Sequence, residues 1–253
     1  MNQVNAKVIK NIEVTPDYYK MILDAPSIAR AAKPGQFVNI LVSDKFEPLL
    51  RRPFSIHRVS NSKLEILYRV VGKATELFSQ KRPDEILNIL GPLGNGFNLK
   101  FKKGRIILVG GGIGIAPLMF LSEKLAGNKI LVLIGAKNKK HILCVDEVKN
   151  AGYEVKIATD DGSFGFKGLV TELLKQNIKA KNKPTTIFAC GPKPMLKEIA
   201  SISKKYNIAA QVSLEEHMAC GIGACFGCVV NTKHGYKRVC KEGPVFDTKE
   251  VVF

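Results

Sequence analysis

No run in this sequence is long and apolar enough to span a bilayer. The longest apolar stretch, Ile106 to Leu121, is broken by four glycines and a proline, and it falls short of the ~20 residues a membrane helix needs. The opening segment MNQVNAKVIKNIEV lacks the apolar core and small-residue cleavage site of a secretion signal. Together these absences predict a cytoplasmic protein with no membrane association. Tryptophan is missing, as are internal repeats and low-complexity linkers, so segments are expected to pack together rather than hang on tethers. Acidic residues are scarce: 22 Asp and Glu against 39 Lys and Arg give a net charge of +17. That excess does not read as nucleic-acid binding, because the lysines are scattered. Their short clusters, Lys137–Lys140 and Lys179–Lys183, are not interleaved with aromatics. A lysine-rich solvated surface is the plain reading, and an acidic protein partner is the next.

What the chain does have is cysteine, concentrated near its end. Cys220, Cys225, Cys228 and Cys240 lie in the segment CGIGACFGCVVNTKHGYKRVC. The first three have the C-x4-C-x2-C spacing of a plant-type [2Fe–2S] loop, and a distant fourth completes the ligands of two irons. Gly221, Gly223 and Gly227 let the backbone turn its N–H groups toward anionic sulfur. Structural zinc and disulfide pairing are the alternatives. Zinc sites, however, usually pair two short knuckles, whereas here the fourth cysteine stands alone after eleven residues. Cys144 and Cys190 each end an apolar run and read as small buried hydrophobes.

The length, 253 residues, suits two compact domains and a small appended module. FVNILV (Phe37–Val42), LEILYRVV (Leu64–Val71) and ILNIL (Ile86–Leu90), separated by turn residues, predict an antiparallel β-barrel over residues 1–100 with one helix near Ala74–Ser79. From residue 101 to 212 strands alternate with helices: RIILVGGG, an amphipathic helix IAPLMFLSEKLAG, KILVLIGA, YEVKIAT, LVTELLKQ, TTIFACG and PMLKEIASISKKY. This alternation predicts a parallel, doubly wound α/β sheet. Residues 213–253 are left as the cysteine module, so the fold class is α+β and multi-domain.

Two ligand sites are expected on these domains. Arg52-Pro53-Phe54-Ser55 places on one barrel strand a guanidinium suited to pyrophosphate, an aromatic ring and a hydroxyl that can reach a flavin edge. A core role for Phe54 is equally open. Leu67-Tyr68-Arg69 precedes a strand-to-helix turn where Ala74, Thr75 and nearby amides offer a phosphate pocket. In the second domain Gly110-Gly111-Gly112-Ile113-Gly114-Ile115-Ala116-Pro117 follows a strand, as a dinucleotide pyrophosphate requires, although it is not a G-x-G-x-x-G match. Tight strand–helix packing is the bland reading of those glycines. Cys190-Gly191-Pro192 ends another strand at the same level. Asp160-Asp161 could meet a bare ribose diol and repel a 2′-phosphate, favouring NAD over NADP, or could be an ordinary turn.

In this order, RPFS, GGGIGIAP, CGP and the C-terminal C-x4-C-x2-C-x11-C resemble the ferredoxin–NADP reductase superfamily. The segment Leu214–Val230 narrows the resemblance to the electron transfer subunits of bacterial dihydroorotate dehydrogenase B. Related subunits of other flavoproteins often have aspartate where this chain has Cys220. The resemblance covers essentially the whole chain. It implies FAD held by Arg52 to Ser55, Leu67 to Arg69 and Ala74-Thr75, where the family usually has glycine in place of Ala74. It implies a [2Fe–2S] cluster on Cys220, Cys225, Cys228 and Cys240. It also implies NAD bound by Gly111, Gly112, Gly114, Pro117, Cys190, Gly191 and Pro192. An FMN-containing catalytic subunit would be the partner, two of each forming a heterotetramer. Electrons from dihydroorotate oxidation would pass through the cluster and FAD to NAD+, with Ser55 near flavin N5 and no side chain acting as catalytic acid or base. A reductase donating to ferredoxin, or a zinc-binding interaction module, are the competing readings.

Overall fold

The structure is a computed structural model describing residues 1–43, 47–178 and 183–253; residues 179–182 of the second lysine cluster lie outside it. Six strands close an antiparallel barrel: β1 (Asn2–Thr15), β2 (Tyr18–Asp24), β3 (Phe37–Leu41), β4 (Arg52–Ser60), β5 (Lys63–Arg69) and β6 (Ile86–Leu93), in the order β1-β2-β5-β4-β3-β6. Two short helices, α1 (Pro26–Ala31) and α2 (Lys73–Ser79), lie in its connections. β6 alternates strictly between buried and more exposed residues, the period-two signature of a strand with one face on a core. β1 and β2 escape the sequence reading because β1 buries only Ala6 and Val8 among fourteen mostly polar residues.

The second unit holds β7 (Arg105–Gly111), α3 (Ala116–Lys124), β8 (Lys129–Ala136), α4 (Val145–Asn150), β9 (Glu154–Thr159), β10 (Phe166–Lys167), α5 (Val170–Ile178), β11 (Thr186–Cys190), α6 (Lys193–Tyr206) and β12 (Ala209–Ser213). The sheet order is β10-β9-β8-β7-β11-β12-β15. It is parallel except for β15 (Val245–Asp247), which pairs antiparallel with β12. Helices cover both faces, so β8 is buried along nearly its whole length. Between β7 and β11 the strand order reverses, which opens a crevice at the carboxyl ends of those strands. The C-terminal segment adds the hairpin β13 (Val229–Thr232) and β14 (Gly235–Arg238), and then contributes β15 to the large sheet. No helix among the described residues is long and apolar enough to cross a membrane.

α3 departs from the amphipathic expectation. Every residue from Ala116 to Ser122 is buried, because one face meets the parallel sheet and the other meets the barrel. Phe120 belongs to the barrel core with Phe54, Ile56 and Phe78. Reciprocally, Phe37 and Leu93 of the barrel pack in the core shared by the sheet and Cys228 and Cys240. The three segments therefore have interlocked cores.

Phe120→Ala is expected to cost about 3–5 kcal/mol, because the cavity would open in the barrel from a helix that cannot follow it inward. Chemical denaturation of the apoprotein checks this, with Phe164→Ala, at an exposed position, expected to change little.

Candidate functional site

Two clefts meet between barrel and sheet. The first, of about 570 Å³, is lined on the barrel side by Arg52, Pro53, Phe54, Ser55, Leu67, Tyr68, Arg69 and Thr75. Its far wall is the segment from Ser213 to Met218. Register explains why a four-residue motif lands together: Phe54 and Ser55 pair with Val38 and Phe37 on β3, holding β4 flat against the opening. Arg51 and Arg52 part company here. Arg51 donates to the carbonyl of Asn88 at 3.0 Å and serves the barrel wall, whereas Arg52 faces the cleft and donates to the Leu50 carbonyl at 2.6 Å. Phe54 is a barrel-core residue that also lines the cleft. It stacks on Phe78 at 4.8 Å and 12° and is buried in the core, yet its edge reaches the cleft. The Tyr68 hydroxyl donates to Asn11 Oδ1 at 3.0 Å, and burial pushes its pKa up.

Two expectations at α2 need correction. The Thr75 hydroxyl is not free for phosphate: it accepts from Val71 N at 2.8 Å and Gly72 N at 3.2 Å and donates to the Gly72 carbonyl at 2.9 Å. It caps the helix, and Thr75 lines the cleft without a spare donor. Ala74 is not a cleft residue. Its methyl group is buried in the barrel core, where it fills space that glycine would leave open.

The second cleft, about 720 Å³, lies at the carboxyl ends of the parallel strands. Gly111, Gly112, Gly191 and Pro192 line it. A Cβ on Gly112 would meet nothing within 4 Å, so its backbone is open to a ligand. Gly114 serves packing instead: a Cβ there would come within 2.3 Å of the Cys190 carbonyl. Pro117 and Cys190 are likewise buried rather than at the cleft surface. The tight-packing reading therefore holds for Gly114 and for Gly111, where a Cβ would come within 2.7 Å of Met195 Sδ, although Gly111 also lines the cleft; Gly112 alone of the three is open. Asp160 and Asp161 also separate. Asp160 lines the cleft, while Asp161 accepts from Ser163 N at 2.9 Å in a turn. Tyr18, Lys137, His141, Thr171 and Lys175 line this cleft too. No motif in the sequence marks them, because they come from four separate elements or loops.

Arg69, Ile113 and Glu215 line both clefts. Arg69 lies over the Tyr18 ring at 5.4 Å from its centroid. Glu215 is reachable by water through the clefts but has the crowded surroundings of a buried group, which raise its carboxyl pKa. Burial, and after it the nearby Glu215 charge, raise that of the Cys190 thiol.

The cysteines form two pairs. The Cys225 N–H donates to Cys220 Sγ, and the Cys240 N–H to Cys228 Sγ. The only set of three or more His, Cys, Asp or Glu ligand atoms within 4.8 Å of one another among the described residues lies elsewhere, at His57, Cys144 and Glu147. A single tetrahedral zinc would hold its four sulfurs about 3.8 Å apart, so the pairing fits two bridged metals better than one. Backbone N–H groups of Cys225, Gly227 and Cys240 reach cysteine sulfurs at 3.4 Å each. Burial acts to raise the Cys220 pKa, but hydrogen bonds from the backbones of Ile222, Cys225 and Ala224 outweigh it and bring the thiol to about 6. Thiolate is favoured at Cys220, as a cluster ligand requires, whereas burial and then the neighbouring Cys228 and Cys220 push the Cys240 thiol up to about 12. Gly221 and Gly223, with φ of 69° and 87°, make the turns that aim these amides inward.

Other residues hold the loop. Arg238 donates to the Gly223 carbonyl at 2.7 Å, pairs with Glu242 and sits 4.8 Å from the Phe226 ring centroid. The Arg238 hydrogen bonds hold Glu242 down at about 2. From the barrel, Asn39 donates Nδ2 to the Cys220 carbonyl at 3.2 Å, linking the loop to the strand that pairs with Pro53.

Asp160 puts a carboxylate on the lining of the second cleft. Asp160→Asn is expected to raise kcat/KM for NADPH relative to NADH by about tenfold or more, as removing a like-charge contact should. Steady-state rates with an artificial acceptor measure it.

Comparison with known proteins follows the same division. A family model described as the iron–sulfur cluster binding domain of dihydroorotate dehydrogenase B matches residues 215–252. The oxidoreductase NAD-binding domain matches residues 108–201. The dihydroorotate dehydrogenase B (NAD(+)) electron transfer subunit of Desulforamulus reducens is 46% identical over 257 residues, covering 98% of each chain. The corresponding subunit of Caldanaerobacter subterraneus subsp. tengcongensis is 40% identical over 99% of each. Among solved structures, a chain of an NADH-dependent reduced ferredoxin–NADP oxidoreductase superposes with a TM-score of 0.88 at 31% identity, covering 98% of this chain and 90% of that one. A ferredoxin–NADP+ reductase from Neisseria gonorrhoeae, with FAD and NADP bound, shares the fold at a TM-score of 0.70 and 19% identity, covering 81% and 92%. The barrel, the reversed parallel sheet, the paired cysteines and identity sustained over the full length together place this chain in the dihydroorotate dehydrogenase B electron transfer subunit family, within the ferredoxin–NADP reductase fold.

Proposed function

We propose that this chain carries electrons from a dihydroorotate-oxidising partner subunit to NAD+. When bound, FAD supplies the exchange between single-electron and hydride chemistry, and a [2Fe–2S] centre supplies single-electron transfer only. The observation that carries this reading is the junction of the two clefts at Arg69, Ile113 and Glu215. A flavin ring and a nicotinamide ring can meet there without crossing solvent.

The roles of the chain's own residues follow. Arg52 is placed to pair with the FAD pyrophosphate, and Ser55 to hydrogen-bond near the reactive edge of the ring. Phe54, Leu67 and Tyr68 form the wall behind the ring. Gly111, Gly112, Gly191 and Pro192 bring backbone close to the dinucleotide. Cys220, Cys225, Cys228 and Cys240 hold the cluster, and Asn39 keeps the Cys220 backbone against the flavin strand. No side chain is needed as an acid or base toward dihydroorotate. We divide the chain as 1–100 for FAD, 101–212 for NAD and 213–253 for the cluster.

Cys225 is exposed, with Ile222 and Phe226 also exposed beside it. This surface is where we place the partner subunit, an FMN protein in our reading, with two copies of each subunit in the complex. The expected result for the anaerobically purified chain is two irons with acid-labile sulfide, NADH-linked reduction of artificial acceptors, and no dihydroorotate oxidation until the partner is added. Cys225→Ser should remove cluster absorption and the dihydroorotate-to-NAD+ reaction of the complex while leaving NADH-linked flavin reduction within about twofold, because no cluster ligand lines the NAD cleft. Dihydroorotate oxidation by the chain alone, or one zinc per chain in place of iron, would overturn the proposal.

A further inference from the structure

His57 sits at a place none of the cofactor assignments uses. The pairing of β4 with β5 slips between Ile56 and Arg58, so His57 is the extra residue of a bulge. Bulges re-aim a side chain out of strand alternation, and Ile56 and His57 are accordingly both fully buried, one after the other. The bulge turns the imidazole away from the barrel and into the seam with the nucleotide unit. Its Nδ1 lies 3.0 Å from the carbonyl of Ala116, and its Nε2 lies 3.1 Å from Glu147 Oε2.

Both partners are acceptors. A backbone carbonyl cannot donate, and the Glu147 carboxyl is ionised: burial acts to raise its pKa, but the hydrogen bond and charge of His57 and the Lys20 ammonium outweigh it and bring it to about 2. The imidazole thus bridges β4 to the start of α3 and to α4, with an acceptor facing each ring nitrogen, from a fully buried position. Its charged surroundings come from every element at the seam. Lys20 on β2 pairs with Glu147 at 2.5 Å, Arg58 on β4 pairs with Glu123 on α3 at 2.6 Å, and Arg58 also approaches Glu147 at 3.6 Å. The Cys144 sulfur lies within 4.8 Å of the His57 and Glu147 ligand atoms. Cys144 still packs as a partly buried hydrophobe against the sheet core, as its sequence suggested. It caps α4 in a left-handed conformation, φ 62°, beside an ionic network.

The position of this bridge gives it a function. His57 is two residues from Ser55 on the flavin strand, and Ala116 is the first residue of α3, directly after the Gly110–Gly114 loop. We propose that the His57 bridge is a positioning strut that sets the separation between the flavin ring and the nicotinamide. Phe120 already holds the middle of α3 in the barrel core, so the strut governs the N-terminal end, where the dinucleotide loop begins. Hydride transfer is sensitive to this spacing, because reactive geometry requires atoms about 3–3.5 Å apart and a displacement of ~1 Å can cost a hundredfold. The contact between the barrel and the cluster loop, Asn39 Nδ2 to the Cys220 carbonyl, uses none of the strut residues, so the strut should leave cluster reduction untouched.

The proposal rests on the NAD-linked reading above, and its test keeps the two separable. His57→Gln and Glu147→Gln are prepared as the holoprotein beside the wild type. Gln at position 57 can donate to one partner but cannot span both, and the Glu147 change lies outside the barrel should the first variant fold poorly. Stopped-flow reduction of bound flavin by NADH and by 4-deuterated NADH is followed, with the long-wavelength charge-transfer absorbance between nicotinamide and flavin, the FAD content and cluster reduction by dithionite. The expected result is a rate constant about tenfold or more lower, with a weakened charge-transfer band and a larger isotope effect, at unchanged FAD content and unchanged cluster reduction. A lower thermal midpoint with an unchanged rate constant and band would make His57 a stability residue only and overturn the strut. A divalent metal bound beyond the cluster irons, and lost in both variants and in Cys144→Ala, would assign His57, Cys144 and Glu147 to that metal and also overturn it. A wild-type flavin that NADH does not reduce would sink the NAD-linked reading itself.

Discussion

The seam between α3 and the barrel is the constraint on which the two ligand sites depend. A parallel sheet must cover its faces with helices, and an antiparallel barrel of this size must plug its open side. One helix satisfies both. Because α3 starts at the carboxyl end of β7, burying its side chains in the barrel brings the dinucleotide crevice to the mouth of the flavin cleft. Phe120 supplies the apolar part of this contact and His57 the polar part. A fully buried polar ring is costly unless hydrogen-bonded, and here both ring nitrogens face acceptors and the Glu147 carboxylate is shared with Lys20.

The cluster segment follows a related logic. A small cysteine loop cannot bury enough apolar surface to stand alone. It is held at three points: β15 joins the edge of the parallel sheet beyond β12, Asn39 reaches the Cys220 carbonyl, and Arg238 ties the Gly223 turn to Glu242. Two of its thiols, Cys228 and Cys240, lie within the core that also includes barrel and sheet residues. The cysteines are thus fixed relative to both clefts while Cys225 remains exposed. Such an arrangement suits a centre that must exchange electrons with groups inside and outside the chain.

The excess of lysine and arginine has a modest structural share. Most ion pairs are surface contacts, such as Lys73–Glu47 with both side chains well exposed, and pairs of that kind contribute little. The cations that matter are the few drawn into the seam and the cluster loop: Lys20, Arg58 and Arg238. Each is close to an acid that the scarcity of Asp and Glu makes conspicuous.

The cysteine spacing, the RPFS strand and the glycine run after β7 were legible in sequence because each is local: a loop wrapping a cluster, or a strand end approaching phosphate, needs particular residues at fixed offsets. Strand–helix alternation likewise revealed the parallel sheet, since periodicity is a local consequence of burying one face. The two N-terminal strands were not legible, because β1 is largely polar and its place comes from pairing with β2 and β6. Nor could sequence divide the motif residues by role. Gly112 faces a cleft while Gly114 meets the Cys190 carbonyl, Thr75 caps its own helix, Ala74 belongs to the barrel core, and Asp160 but not Asp161 reaches the dinucleotide cleft. Arg69 and the stretch holding Glu215 stood out in the sequence, but not as the place where two clefts join, and the His57 bridge carries no motif at all. Their neighbours come from segments tens to more than a hundred residues away, and only the packing of one domain against the other decides which side chains meet.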